Sequence, residues 1–204
     1  MNIFDAIKIG DSILKKNGIK SYKLDSEILM SQVLDKSRVD IILNSDTKLS
    51  DKETITYNNL IKQRSKKKPI AHLTGKKEFW KYEFYVTKDV LIPRPDTEII
   101  VEQVIKLTKK KSRIKILDIG IGSGCILLSI LKEKKGFYGT GVDICKKTLD
   151  ICKANVKELD LIDRVKLFKS DIDNFNHGKY DLIVSNPPYI KKFDLKYLDR
   201  DVYD

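Results

Sequence analysis

The segment VSNPPYI, residues 184–190, gathers hydrogen-bond acceptors where a strand should end. Asn186 offers a side-chain carbonyl, and the backbone carbonyl of Pro187 offers a second once the strand ladder has stopped. Pro187 and Pro188 fix φ and carry no N–H, so neither competes as a donor. Tyr189 brings a ring that can stack on a flat group. Paired acceptors beside an aromatic face suit a planar NH2 whose lone pair is delocalised, as in an amide with its partial C–N double bond. Held by both N–H bonds, such a nitrogen can be turned so that its lone pair meets an electrophile. No metal and no strong base is then needed beforehand. The alternative is a Pro–Pro turn that merely follows an asparagine.

A second cluster is ILDIGIGSGC, residues 116–125. Gly120, Gly122 and Gly124 fall between a strand pattern and a helix pattern, at the strand end where open α/β sheets bind nucleotides. Glycines there let the backbone approach a ligand and adopt positive φ. The spacing is G-x-G-x-G. Cys125 stands where the dinucleotide fingerprint needs glycine, and no GK[ST] follows, so NAD and Walker-type binding are disfavoured. Asp143 ends the next strand, where a carboxylate can accept both hydroxyl protons of a ribose; it can equally cap the helix that follows. Asp171 and Ile172 are read at the end of the third strand, where Asp171 could accept from an adenine amine and Ile172 could offer an apolar wall. A tight strand–helix turn with no ligand is the competing reading of the glycines.

These residues need a scaffold, and 204 residues with 41% hydrophobic content supply a sizeable core. Residues 1–72 read as a small helical bundle. Its helices are expected over 3–16, with Gly18 as the stop, and over 22–35, around Ile28, Leu29, Val33 and Leu34. A short helix is capped by Ser37, and Ser50 with Glu53 forms a capping box before Ile55, Leu60 and Ile61. Residues 73–97 contain EFWKYEFYV, an aromatic alternation that suggests a hairpin, and lead into LIPRPDTE (91–98), where Asp96 or Thr97 can cap the next helix. From 98 to 204 the pattern alternates strand and helix, which means a parallel sheet flanked by helices. Four strands can be read.

The net charge of +11 is spread along the chain, with +5 in residues 1–72 and +6 in the remainder. It marks a lysine-rich surface and permits an acidic or nucleic-acid-bound partner. Cys125, Cys145 and Cys152 form no CxxC pair and no metal cluster with the two histidines, so reduced thiols in the cytoplasm and no metal are expected. No apolar run approaches the roughly 18 residues of a membrane span, and no signal-peptide pattern opens the chain.

A glycine loop with strand-end acids and no phosphate-binding lysine resembles the S-adenosylmethionine site of class I methyltransferases. Asp118 fits the acidic position that such enzymes place near the methionine portion. PIAHLTGKKEFW (69–80), LIPRPDTE (91–98), LDIGIGSG (117–124) and IVSNPPYI (183–190) together resemble the peptide chain release factor glutamine methyltransferases, the PrmC/HemK family. The resemblance implies a Rossmann-like α/β methyltransferase domain behind a helical bundle and hairpin. It implies S-adenosylmethionine as methyl donor and the glutamine of the Gly-Gly-Gln motif in class 1 release factors as acceptor. It implies cofactor contacts from Gly120, Ile121, Gly122, Ser123, Gly124, Asp143 and Ile172, with Asp171 and Asn186 nearby, and glutamine contacts from Asn186, Pro187, Pro188 and Tyr189. The bundle and hairpin would dock the release factor, and Arg94 and Glu98 would organise the cleft or form a structural ion pair. Family members carry further strands after the one bearing NPPY, so the sheet is expected to be incomplete, with its four strands in the order 3-2-1-4 and the fourth at an edge. The competing readings are a nucleic-acid amino-methyltransferase, for which the bundle offers no obvious recognition domain, and an inactive remnant. No membrane association and no direct nucleic-acid substrate are expected.

Of the remaining residues, His72 and the Phe79–Trp80 pair read as structural, and His177 as solvated. Cys145 and Cys152, seven apart on a helix, read as packing.

Overall fold

Helical periodicity in the first seventy residues produces four helices, α1 (Ile3–Lys16), α2 (Tyr22–Leu34), α3 (Arg38–Leu43) and α4 (Asp51–Ser65), and a short α5 (Ile70–Thr74) follows them. The computed structural model describes residues 1–187, in two compact units, Met1–Thr74 and a second that begins at Gly75. The starts of the helices follow from local hydrogen bonding. Asn2 accepts from the Asp5 amide at 2.8 Å, and Ser37 with Asp40 and Ser50 with Glu53 form reciprocal capping boxes. Gly18 turns the chain after α1 at φ +75°.

The first unit closes over Ile3, Leu14, Leu29, Met30, Ile41, Tyr57 and Ile61. Two faces differ from expectation. Ile55 is 68% exposed, and α4 instead buries Tyr57, Ile61 and Arg64. On α2 the buried stripe includes Asp25 and Ser26 beside Leu29 and Met30. The cause is polar pairing: Arg64 Nε meets Asp25 Oδ2 at 2.7 Å, and Ser26 donates to Asp11. A buried carboxylate this well matched holds its place against Ile28, Val33 and Leu34, which stay half-buried.

In the second unit a hairpin of β1 (Lys76–Phe79) and β2 (Tyr82–Tyr85) precedes α6 (Glu98–Leu107). Then come β3 (Lys115–Ile119), α7 (Cys125–Glu133), β4 (Tyr138–Asp143), α8 (Lys146–Glu158), β5 (Val165–Lys169) and β6 (Leu182–Ser185). The last four strands form one parallel sheet in the order β5-β4-β3-β6, the expected 3-2-1-4. Ile116 and Val184 on one face join Leu127, Leu128, Ile130 and Leu131 of α7 in the core, together with Phe79 and Phe84 of the hairpin.

The hairpin is pinned at its turn. Trp80 takes φ +59° there, and its amide donates to Glu98 Oε1 at 2.7 Å. Trp80 Nε1 and the Tyr82 hydroxyl both donate to Glu133 Oε1, which also meets Lys81 Nζ at 2.9 Å. Glu98 therefore serves the turn, and among the described residues it forms no ion pair with Arg94. No helix among them is long and apolar enough to cross a membrane.

Candidate active site

The parallel pairing of β3 with β6 sets Ile119 opposite Ser185, and the Ser185 hydroxyl donates to the Ile119 carbonyl at 2.9 Å. Gly120 and Asn186 are the next residues on these two strands, whose axes lie about 4.8 Å apart. The sheet thus brings the asparagine and the glycine loop together at its C-terminal edge. Asn186 is half-buried, and its Nδ2 donates to Thr97 Oγ1 at 3.4 Å. Thr97 occupies the N-cap position of α6 but makes no side-chain capping bond. Its expected capping role is replaced by this contact, and Asp96 lies in a short 3-10 turn. With Nδ2 held, Oδ1 is the acceptor that Asn186 can present. Pro187 is exposed just past the last paired residue of β6. Pro188 and Tyr189 lie outside the described residues.

Gly120, Gly122 and Gly124 all adopt positive φ, at +71°, +59° and +85°. The amides of Gly120 and Ile121 both donate to the Val142 carbonyl, at 2.9 and 3.1 Å, which folds the loop back onto β4. The glycines serve different needs. A Cβ at Gly120 would meet nothing within 4 Å, so open space lies above it. A Cβ at Gly124 would lie 2.9 Å from both Cys152 Sγ and Leu128 Cδ1, so this glycine lets α7 and α8 approach. Ile121 is 5% exposed and packs its side chain against Gly141, which leaves its backbone as the part that borders the loop. Ser123 is also buried, and its carbonyl accepts from Asn155 Nδ2 at 2.8 Å.

Two acids face this loop. Asp143 Oδ2 accepts from the Gly122 amide at 3.3 Å, and Oδ1 accepts from Cys145 at 2.9 Å. Cys145, not Asp143, is the N-cap of α8, so the carboxylate braces both the loop and the turn into the helix. Asp118 is 1% exposed, and its Oδ2 has no hydrogen-bond partner. Burial pushes its carboxyl up to about 8; the Leu127 amide opposes that rise, and the charge of Asp143 adds to it.

Asp171 and Ile172 do not end the third strand, because β5 stops at Lys169. Both are exposed in the loop beyond. Asp171 Oδ1 accepts from the backbone and side-chain nitrogens of Asn174, each at 2.8 Å. This local turn competes with strand continuation. The Asn174 side chain also holds the Asp171 carboxyl below its usual range.

Sequence reasoning missed Asn155. It is fully buried in the α8 stripe with Thr148, Cys152 and Val156. An asparagine at a core-facing helical position was the available signal. Cys152 packs in the core as expected, whereas Cys145 sits at the helix start, where its thiol interacts with Thr148 and is held below the usual range. No group of metal-binding side chains occurs among the described residues.

The PrmC N-terminal domain family matches residues 5–75, and the methyltransferase small domain family matches residues 96–198. The chain is 40% identical to the release factor glutamine methyltransferase of Clostridium acetobutylicum, over all of this chain and 73% of that protein. It is 39% identical to the protein of the same name from Buchnera aphidicola subsp. Baizongia pistaciae, over 99% of this chain and 72% of that one. Among solved structures, a putative S-adenosyl-L-methionine-dependent methyltransferase from Methanococcus maripaludis is 25% identical, with a TM-score of 0.42 over 53% of this chain and 50% of that one.

Proposed function

Because the chain belongs to the release factor glutamine methyltransferase family, we propose that it methylates the side-chain amide nitrogen of the glutamine in the Gly-Gly-Gln motif of class 1 release factors. The observation that carries this reading is the position of Asn186, one residue beyond the β3–β6 pairing and beside the glycine loop.

The amide nitrogen of glutamine is a poor nucleophile, so the protein's task is orientation. Asn186 Oδ1 and the Pro187 carbonyl accept the two N–H bonds and turn the nitrogen's lone pair toward the donor. Thr97 keeps the Asn186 amide in the rotation that presents oxygen. Pro188 and Tyr189 would complete the glutamine site, as the family motif implies.

The residues suit S-adenosylmethionine. Open space above Gly120 admits a ligand close to the backbone, and the unpartnered oxygen of Asp118 awaits a donor. Gly120 to Gly124, Asp118 and Asp143 would hold the cofactor, with Asp171 and Ile172 on the adenine side and Asn186 at the reacting end. When bound, it supplies a sulfonium-linked methyl group. The unit Met1–Thr74 and the hairpin dock the release factor, and exposed Val39, Ile42 and Leu43 on α3 provide apolar surface for that contact.

The test is transfer of a labelled methyl group to purified release factor, with its glutamine intact or replaced, and to DNA and ribosomal RNA. Label on the intact factor alone is expected. Label on nucleic acid, or none on any substrate, overturns the reading.

A further inference from the structure

At the opposite end of the sheet from Asn186, the starts of β3, β4 and β5 border a separate cavity of about 330 Å³. Its cations are Arg113, Lys115, Arg164, Lys166 and Lys179, against one carboxylate, Asp163. The Arg164 guanidinium is fixed by the carbonyls of Leu131, Lys134 and Lys135, at 2.8 to 3.1 Å. Among the described residues none of the other four cations joins an ion pair. Their charge remains available to a ligand.

Rings line the same cavity: Tyr138, Phe168, His177 and Tyr180. His177 stacks on Phe168 with centroids 5.4 Å apart and planes 18° apart. The Tyr180 hydroxyl donates to the His177 carbonyl at 2.8 Å, and Gly178 takes φ +86°, so the turn that carries the imidazole is braced. The Arg113 guanidinium lies 5.3 Å from the centre of the Tyr138 ring, which is 40% exposed.

Scattered surface lysines need no explanation, but unpaired cations around exposed rings match one chemistry. A nucleotide presents a flat base to stack and a phosphate to neutralise. An acidic peptide would use the charges and leave the rings idle. The volume lies at the small end of the usual ligand range of about 300–1,000 Å³, which suits one nucleotide unit and no duplex. We propose that this cavity binds a nucleotide, its base against the Tyr138 and His177 rings and its phosphate near Lys115 and Lys166. The unit comes either from single-stranded RNA or from a free nucleoside monophosphate. This site is independent of methyl transfer, because it lies at the other end of the strands.

The experiment measures binding of a fluorescent single-stranded RNA oligonucleotide to the full chain by anisotropy. Lys166→Glu tests the charge, Tyr138→Ala the stacking, and Lys52→Glu on α4 is the charge-matched control. Thermal melting checks that each variant is folded. Affinity is expected to fall about tenfold in the first two and less than about twofold in the control. Release of the RNA by adenosine monophosphate would identify a free nucleotide as the source. Variant-specific loss without such release would identify the polymer. Equal losses in Lys166→Glu and Lys52→Glu, unchanged binding by Tyr138→Ala, or no measurable RNA binding would overturn the proposal.

Discussion

Asn155 and Tyr85 exchange a pair of hydrogen bonds, the Tyr85 amide donating to Oδ1 at 2.7 Å and Nδ2 donating to the Tyr85 carbonyl at 3.0 Å. The same Nδ2 donates to Ser123, so one buried side chain ties the hairpin strand to the glycine loop. The helix thereby satisfies the edge of β2 much as a neighbouring strand would.

Removing that link leaves buried backbone groups unpaired. Asn155→Ala is expected to lower unfolding stability by about 3 kcal/mol, read from urea denaturation. A loss below about 0.5 kcal/mol would show that water or repacking replaces the amide.

Asn186→Ala is expected to lower turnover about 100-fold while leaving S-adenosylmethionine affinity nearly unchanged, because misorientation of a reacting group acts on the chemical step. Thr97→Val should lower kcat about tenfold, and Thr97→Ser should restore it. Steady-state kinetics separate this from binding. A change confined to KM would contradict the positioning role of Thr97.

Asp118 predicts a pH dependence of unusual sign. Its native carboxyl, raised to about 8, keeps a proton that the unfolded chain releases near about 4. Over that window the native state binds more protons, so this group's contribution to stability falls as pH rises and levels off above about 8. The slope from one proton is at most about 1.4 kcal/mol per pH unit. Asp118→Asn should flatten the profile between about 4 and about 8. A cationic group bound against Asp118 should expel the proton near neutral pH, measurable as a buffer-dependent binding enthalpy.

The loop glycines should separate stability from binding. Gly124→Ala meets Cys152 and Leu128 at positive φ and should lower the melting temperature markedly. Gly120→Ala meets nothing within 4 Å, so its stability cost should stay near the left-handed penalty of about 1 kcal/mol. Its larger effect should fall on S-adenosylmethionine affinity, followed by calorimetry. Equal behaviour of the two variants would refute this division.

Much of the architecture was legible because its signals are local. Capping boxes, glycine stops and strand–helix alternation marked the helices and the parallel strands, and the family resemblance supplied the strand order. The glycine loop and Asn186 were placed by the same logic. What escaped depends on partners far apart in the chain. Arg64 reaches Asp25 across 39 positions and brings polar side chains into the buried faces of α2 and α4. Thr97 and Asn186 are 89 positions apart, and neither residue type advertises the other. The strand-end position of Asp171 was illegible for a subtler reason: its turn with Asn174 is local, but the apolar alternation before it does not mark where the strand stops.

β6 is four residues long and sets where Asn186 emerges. Slipping its alignment against β3 by a single step would carry the amide about 3.3 Å along the strand and onto the reverse side of the sheet. The shortest strand of the parallel sheet therefore works as the gauge of the whole centre. Lengthening or trimming the loop before it is harmless only while Ser185 still finds Ile119.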